Sequence, residues 1–345
     1  MQISDFRSDT VTKPTDEMRE AMRNAVVGDD VLGDDPTVKK LEEIAAKKVG
    51  KEAAIYVPSG TMGNAIAVKV WTNEGEEVIV EEKSHIYNFE SGHLAFISRV
   101  IPRPLPSDRG VYDLERLKAA VNKRKDYHVP QPTLITLENT HNFWGGAVIP
   151  LEHFKEIREI ADRKGIRVHL DGARIFNASI ATGIPAYEYA SYVDSIMFCL
   201  SKGLGAPVGS MLAGPADFIE KARHVRKMLG GGMRQVGVIA AAGIIALQKM
   251  VDRLSEDHRR AKTLAYALSE MPGIEIDPEN IETNIIFFKV KREDLTAPEL
   301  VEKLKEHGVL ALSMSDEDIR MVTHKDVDDG DIRHAIETFK KILLR

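Results

Sequence analysis

From about residue 53 to 215, short apolar runs alternate with amphipathic ones. Ala53–Val57, Glu77–Val80, Leu134–Leu137, Ile166–Leu170 and Ser195–Leu200 are brief and β-rich, the pattern of parallel strands buried on both faces. Between them, Leu114–Asn122 follows a cap-like Asp113 and His153–Lys164 stops at Gly165, so both read as helices. This alternation predicts an α/β sheet that binds ligands at the carboxyl ends of its strands. An irregular arm (residues 1–13) and two helices precede it, the second with Asp35 as N-cap, Pro36 at its first position and Gly50 at its end. After the sheet, Asp217–Leu229, Gly237–Met250 and Leu254–Met271 read as helices. Beyond Gly273 the pattern changes to two strands, Asn284–Val290 and Arg320–Thr323, with helices at Pro298–His307 and Val327–Leu344. The expected division is a large domain over 51–250 and a small C-terminal α/β domain over 251–345. The arm and the helices of 14–50 are expected to belong with the small domain or an interface.

Composition narrows the function classes. The 345 residues exceed one ordinary core, which favours two domains. A net charge of −6, without a long Lys/Arg run, argues against nucleic acid as a partner. The nearest basic run, Asn122-Lys123-Arg124-Lys125, reads as a frayed helix end. Cys199 is the single cysteine, which excludes an intrachain disulfide and a Cys-based zinc site; it lies in an apolar run and reads as a core residue. No window approaches about 18 apolar residues, and the first residues carry no secretory pattern, so a soluble cytoplasmic protein without membrane partners is expected. Abundant Glu and Lys beside one Cys fits a thermophile's composition.

Two strand ends carry the chemistry. Val168-His169-Leu170-Asp171-Gly172-Ala173-Arg174 delivers a carboxylate into a loop, and Ser201-Lys202-Gly203 delivers an amine after the next strand. A Lys with a pKa lowered by burial can form a Schiff base, and an Asp can keep a pyridine nitrogen protonated so that the ring accepts electrons. Together they suit pyridoxal 5′-phosphate (PLP). Asp171 also has a plain reading as a helix N-cap, and Arg174 as either a carboxylate fork or a salt bridge to Asp171. The turn Pro58-Ser59-Gly60-Thr61-Met62-Gly63-Asn64 opens a helix over 62–72, and its backbone N–H groups and N-terminus suit a phosphate, without the Gly-Lys-Ser/Thr ending of a Walker loop. His85, near a strand end, can stack on a bound ring; His128 carries no local motif and alone reads as surface loop.

Taken in order, these motifs resemble the fold-type I PLP enzymes and, within them, the threonine aldolases of the β-eliminating lyase family. The resemblance spans Phe6-Arg7-Ser8-Asp9-Thr10-Val11-Thr12, Gly28-Asp29-Asp30 with Gly33-Asp34-Asp35-Pro36, Ser59–Asn64, Ser84-His85, Glu138-Asn139-Thr140-His141-Asn142, His169–Arg174, Leu200–Leu204 and Gly230-Gly231-Gly232-Met233-Arg234-Gln235. It implies a mostly parallel seven-stranded sheet plus a small domain, Lys202 as Schiff-base residue, Asp171 on the pyridine nitrogen and His85 stacked on the ring. It further implies Ser59, Gly60 and Thr61 at the phosphate, Ser8, Arg174 and Arg320 at the substrate carboxylate, His128 near the substrate hydroxyl, and Arg234 reaching a neighbouring subunit's phosphate. A homotetramer built as a dimer of dimers follows by the same resemblance. The implied reaction is retro-aldol cleavage of a β-hydroxy-α-amino acid, L-threonine or L-allo-threonine, to glycine and acetaldehyde. The base that takes the hydroxyl proton is left open between His85, His128 and a water held by a carboxylate such as Glu90. A β-eliminating lyase or an aminotransferase would share Lys202 and Asp171, and a phosphate-binding module would explain the Ser59–Asn64 turn but not Lys202. No resident metal is expected.

Overall fold

The computed structural model describes residues 2–124 and 127–344; Lys125 of the basic run, and Asp126 beside it, lie outside the described residues. Its main sheet has seven strands in the order Ala53–Val57, Ser210–Gly214, Ser195–Cys199, Arg167–Asp171, Pro132–Glu138, Glu77–Glu81, Ile101–Leu105. Ser210–Gly214 runs antiparallel to both neighbours, and the other pairings are parallel. The five strands read from the apolar runs are therefore present, each with ends within about two residues. Helices cover the sheet, and its central strands are buried on both faces, which is why their runs are apolar without alternation.

Two strands escaped the pattern. Ile101–Leu105 holds Pro102 and Pro104, which argue against a strand interior. As the outer strand, it turns the odd-numbered residues toward Glu77–Glu81, with Ile101 N donating to Glu76 O at 2.9 Å. Prolines two apart therefore both put their missing donors on the solvent side, where no ladder bond is lost. Ser210–Gly214 is small and short, and its position between two strands makes it buried throughout.

The second sheet is antiparallel, in the order Ile274–Glu275, Ile285–Val290, Asp318–Val322, Leu312–Ser313. Helices Leu254–Ser269, Ala297–Glu306 and Asp329–Leu343 pack its core. The first residues are not irregular: Ser4–Asp5 forms a parallel pair with Val309–Leu310, and Phe6 is fully buried in this second core. That anchor fixes the chain that carries Ser8 and Asp9; truncating a buried Phe costs about 3–5 kcal/mol. Helices Asp16–Arg23 and Pro36–Lys48 pack on Gly237–Lys249 beside the main sheet. Among the described residues no helix is long and apolar enough to cross a membrane.

Candidate active site

The parallel strands Ala53–Val57, Glu77–Glu81, Pro132–Glu138, Arg167–Asp171 and Ser195–Cys199 all end at one edge of the sheet. The loops that leave them carry Ser59–Thr61, His85, Asn142, Arg174 and Lys202 respectively. The edge is thus assembled from five separate parts of the chain, as expected for a site at strand carboxyl ends.

Asp171 is 3 % exposed. Its Oδ2 accepts from Asn64 Nδ2 at 2.8 Å and its Oδ1 from Ala173 N at 3.0 Å. The capping reading is thus partly met, but the salt bridge to Arg174 is not formed: Arg174 turns instead to Asp9. Burial, followed by the carboxylates Glu138 and Glu90, pushes Asp171 up to about 6, against the pull of His85 and Lys202. A carboxylate so placed is short of cationic partners. Lys202 stands in the next loop; its carbonyl is held by Thr12 Oγ1 at 3.0 Å, and among the described residues its amine has no hydrogen bond or ion pair.

His85 is fixed twice. Its backbone N donates to Glu138 Oε2 at 2.6 Å, and its Nδ1 bonds Glu90 Oε1 at 2.8 Å, leaving Nε2 for the pocket. Burial opposes the charged ring, but Glu90, Asp171 and Glu138 outweigh it and raise its pKa. Glu90 is held down at about 2 despite burial, because His85 and His93, whose Nε2 lies 2.9 Å from Glu90 Oε2, stabilise its charge. His85, Glu90 and Asp171 offer donor atoms within 4.8 Å of one another, which is also metal-ligand spacing. Those atoms are already engaged: His85 Nδ1 bonds Glu90 Oε1, and Asn64 Nδ2 donates to both Glu90 Oε1 and Asp171 Oδ2. A flat cation between His85 and Asp171 suits the set better than a metal ion, which would displace the bonds.

On the other side, two arginines are buried. Arg174 donates Nε and Nη2 to Asp9 at 2.8 and 2.7 Å, a bidentate pair with both partners inside. Its Nη1 lies 3.4 Å from Asn142 Oδ1, and Arg320 Nη2 donates to the same oxygen at 2.9 Å. Arg320 Nε is buried without a partner among the described residues, and burial and Arg174 lower the Arg320 pKa to about 10. Two guanidinium groups sharing one amide oxygen are one anion short, and a carboxylate fits that need.

Ser59 caps the helix Gly60–Trp71 by accepting from Met62 N at 3.2 Å, which leaves Gly60 and Thr61 N–H groups at the helix start. The helix begins two residues earlier than the pattern suggested. Gly60 also has a packing reason: a Cβ there would lie 3.0 Å from Met197 Cε and 3.1 Å from Cys199 Sγ. Ser8 caps the short turn Asp9–Val11 and accepts from Thr10 Oγ1 at 2.9 Å. Arg234 is 61 % exposed and pairs with Asp29 at 2.8 Å, at the surface of its own chain. His128 is not brought to this edge by its own chain. It lies in the loop before Pro132–Glu138, at the amino end of that strand. Seven residues at about 3.3 Å each separate it from the carboxyl end by roughly 20 Å.

Asp9, Asn64, Glu138 and Asn142 were missed as site residues. Asp9 and Asn142 sit within quoted motifs but carry no local signal for chemistry. Glu138 accepts from both His85 N and Asn142 N, and so ties two loops to one carboxylate.

The chain matches the model of the Beta-eliminating lyase family over residues 5–291. It is 47% identical to low-specificity L-threonine aldolase 1 of Arabidopsis thaliana, over 100% of this chain and 97% of the relative. It is 43% identical to the low specificity L-threonine aldolase of Escherichia coli K12, over 99% of both chains. Among solved structures, the threonine aldolase of Leishmania major superposes with a TM-score of 0.82 at 18% identity, over 98% of this chain and 99% of that one. The serine palmitoyltransferase of Sphingomonas wittichii superposes at 0.77 and 16%, over 98% and 86%. The last two establish the fold, that of the fold-type I enzymes.

Proposed function

Since this chain belongs to the beta-eliminating lyase family, we propose that it cleaves L-threonine and L-allo-threonine to glycine and acetaldehyde. It is a lyase whose cofactor is PLP, and the family's needs fit what the residues offer: an anion short of a cation at Asp171, an unpaired amine at Lys202, and a helix start at Gly60. The observation that carries the reading is full-length identity of 43 to 47% to proteins named low-specificity L-threonine aldolases.

When bound, PLP supplies an electron sink for the pair released as the Cα–Cβ bond breaks. Lys202 would hold the cofactor through its amine. Asp171 balances charge at the ring nitrogen. Gly60 and Thr61 N–H groups take the phosphate, with Ser59 shaping the turn. Arg320 and the free edge of Arg174 hold the substrate carboxylate, with Ser8 beside them, which sets the rotation about the scissile bond. His85 would lie against the cofactor and take the β-hydroxyl proton through Nε2, while Glu90 holds its other nitrogen. His128 and Arg234 act from a neighbouring subunit within a homotetramer, consistent with their places far from, or facing away from, their own chain's pocket. The division at about residue 250 and a cytoplasmic location complete the proposal.

The test is product analysis. Acetaldehyde and glycine should form in equal amounts from both epimers. Release of pyruvate and ammonia, or amino exchange with glutamate, in place of acetaldehyde would assign the site to a different bond.

A further inference from the structure

Behind Asp171 runs a chain of polar groups whose hydrogen-bond directions follow from the Asn64 amide. Trp71 Nε1, a donor only, lies 2.8 Å from Ser195 Oγ, so the hydroxyl accepts there. The same hydroxyl lies 2.8 Å from His169 Nδ1, where it can either donate or accept. His169 Nε2 faces the acceptor Asn64 Oδ1 at 3.1 Å and so carries the hydrogen, and in a neutral ring Nδ1 is then bare and takes the Ser195 O–H. The Asn64 amide nitrogen donates to Asp171 Oδ2 and Glu90 Oε1, each at 2.8 Å, and only this amide orientation faces donors to two carboxylates. Burial lowers His169 to about 4, which keeps the ring neutral.

The sequence builds this chain from two periodicities. Asn64 and Trp71 are seven apart on Gly60–Trp71 and so share the helix face toward the sheet. His169 and Asp171 are two apart on one strand, and Ser195 is the register partner of His169 on the next. Asn64, His169 and Ser195 are fully buried. Trp71 is held at the far end by stacking on Phe218, centroids 4.6 Å apart, and by the Arg167 guanidinium 4.9 Å over its ring. Core filling does not call for such a chain, because apolar side chains of similar volume would fill the space without three fully buried polar side chains to satisfy. The chain has one charged destination, the Asp171 and Glu90 carboxylates.

We propose that Trp71, Ser195, His169 and Asn64 form a one-way hydrogen-bond relay that sets the charge of Asp171, with His169 as a positioning residue acting through Asn64. The inference rests on the reading that Asp171 pairs with the ring nitrogen of PLP. Asp171 faces Glu138 from its own sheet, Glu90 and His85 from the segment after Glu77–Glu81, and Lys202 from the loop after Ser195–Cys199. Two of its neighbours repel its charge and two attract it, so a fixed donor decides the balance. A neutral His169 locked as Nε2–H keeps the Asn64 amide from flipping, and the flipped amide would present an oxygen to two carboxylates.

The first readout needs no cofactor. In 15N-histidine-labelled protein stripped of PLP, with His169→Gln identifying the signal, His169 should be the neutral Nε2–H tautomer from pH 5 to 9. The Nδ1–H tautomer, or a ring that protonates within that range, overturns the relay. The second readout is the pH titration of the visible band of the PLP-loaded protein. Ser195→Ala should move its midpoint up by about half a pH unit or more, because the ring withdraws less charge when its nitrogen loses an anionic partner. Asn64→Asp should move it further and loosen cofactor retention. His169→Gln keeps an amide N–H toward Asn64 and should titrate closer to the unaltered protein than His169→Leu. Trp71→Phe keeps the ring over Phe218, and should give a small shift even if the strand variants fold poorly. Identical titrations across the folded variants overturn the proposal. Failure of borohydride to fix the cofactor on Lys202 in the unaltered protein would instead overturn the functional reading, and the tautomer result would still stand.

Discussion

The two sides of the site are built from opposite charges and share one rule. Around Asp171 stand three buried carboxylates, Asp171, Glu90 and Glu138, against the two cations His85 and Lys202. Around Asn142 stand two buried guanidinium groups, Arg174 and Arg320, and among the described residues Asp9 is the one carboxylate that bonds either of them. Each side lacks one counter-charge, and burial followed by the like charges nearby acts the same way on both: Asp171 is pushed up to about 6 and Arg320 down to about 10. A bound ring cation and a substrate carboxylate would complete both. Unmet charge, held in place by neutral amides (Asn64 on one side and Asn142 on the other), is what the site offers its ligands.

The largest effect lies between the two sides. Lys202→Ala should leave the fold intact, abolish the borohydride-stable adduct and lower turnover by roughly three orders of magnitude or more. Steady-state assays with an added small amine check this, and retained turnover without the amine would break the scheme. Next, the sides should separate kinetically. Arg320→Leu removes a partner of the substrate carboxylate and should raise KM roughly a hundredfold, within the usual 2–5 kcal/mol for a buried charged contact. Asp171→Asn should lower kcat with little change in KM. It should also stabilise the cofactor-free protein at pH 7 by about 3 kcal/mol, because an acid whose folded pKa is raised begins to cost stability above its unfolded pKa and costs the full amount above the folded one. Urea unfolding of the cofactor-free forms tests the second half, and a less stable Asp171→Asn would refute the account of unmet charge.

Asp9→Asn gives a smaller, structural effect. It leaves Arg174 buried without its bidentate partner, and breaking such a pair costs about 3–5 kcal/mol. Burial works against the Asp9 charge, but Arg174 holds its pKa well below the usual carboxylate range. A depressed folded pKa means that the stabilisation is present above the unfolded value near 3.8 and is lost as pH falls through the folded one. The destabilisation by Asp9→Asn, measured by thermal unfolding, should therefore be full at pH 6 and shrink in strong acid.

Legibility followed periodicity and failed where partners are distant. Asp171 and Lys202 could be read because each follows an apolar run at a strand end, and the site edge collects all such ends. Ile101–Leu105 could not, since proline signals against a strand until the strand is known to be at the edge. Asp9 and Arg174 lie 165 residues apart in sequence, and no local feature predicts that the arm docks through Phe6 and brings them together. Asn142 and Asn64 are neutral and act only through what they hold. His169 read as one more apolar-strand residue, although its spacing of two from Asp171 put it on the same face, a signal available in the sequence.

The smallest effect tests how far the anionic side reaches into the chemistry. His85 must be neutral to take a proton, so cleavage should rise as pH passes its pKa. Glu90, bonded to Nδ1 at 2.8 Å, helps to hold that pKa above the ordinary histidine value while burial pulls it down. Glu90→Gln keeps a hydrogen-bond acceptor and removes the charge, so burial should win and the ascending limb of kcat/KM should move to lower pH. The shift should be up to about one unit, since one unit corresponds to about 1.4 kcal/mol. Arg320→Leu, on the cationic side, should leave the limb in place while raising KM. If Glu90→Gln leaves the limb where it was, His85 is not the base, and the proton leaves by a group outside the anionic cluster.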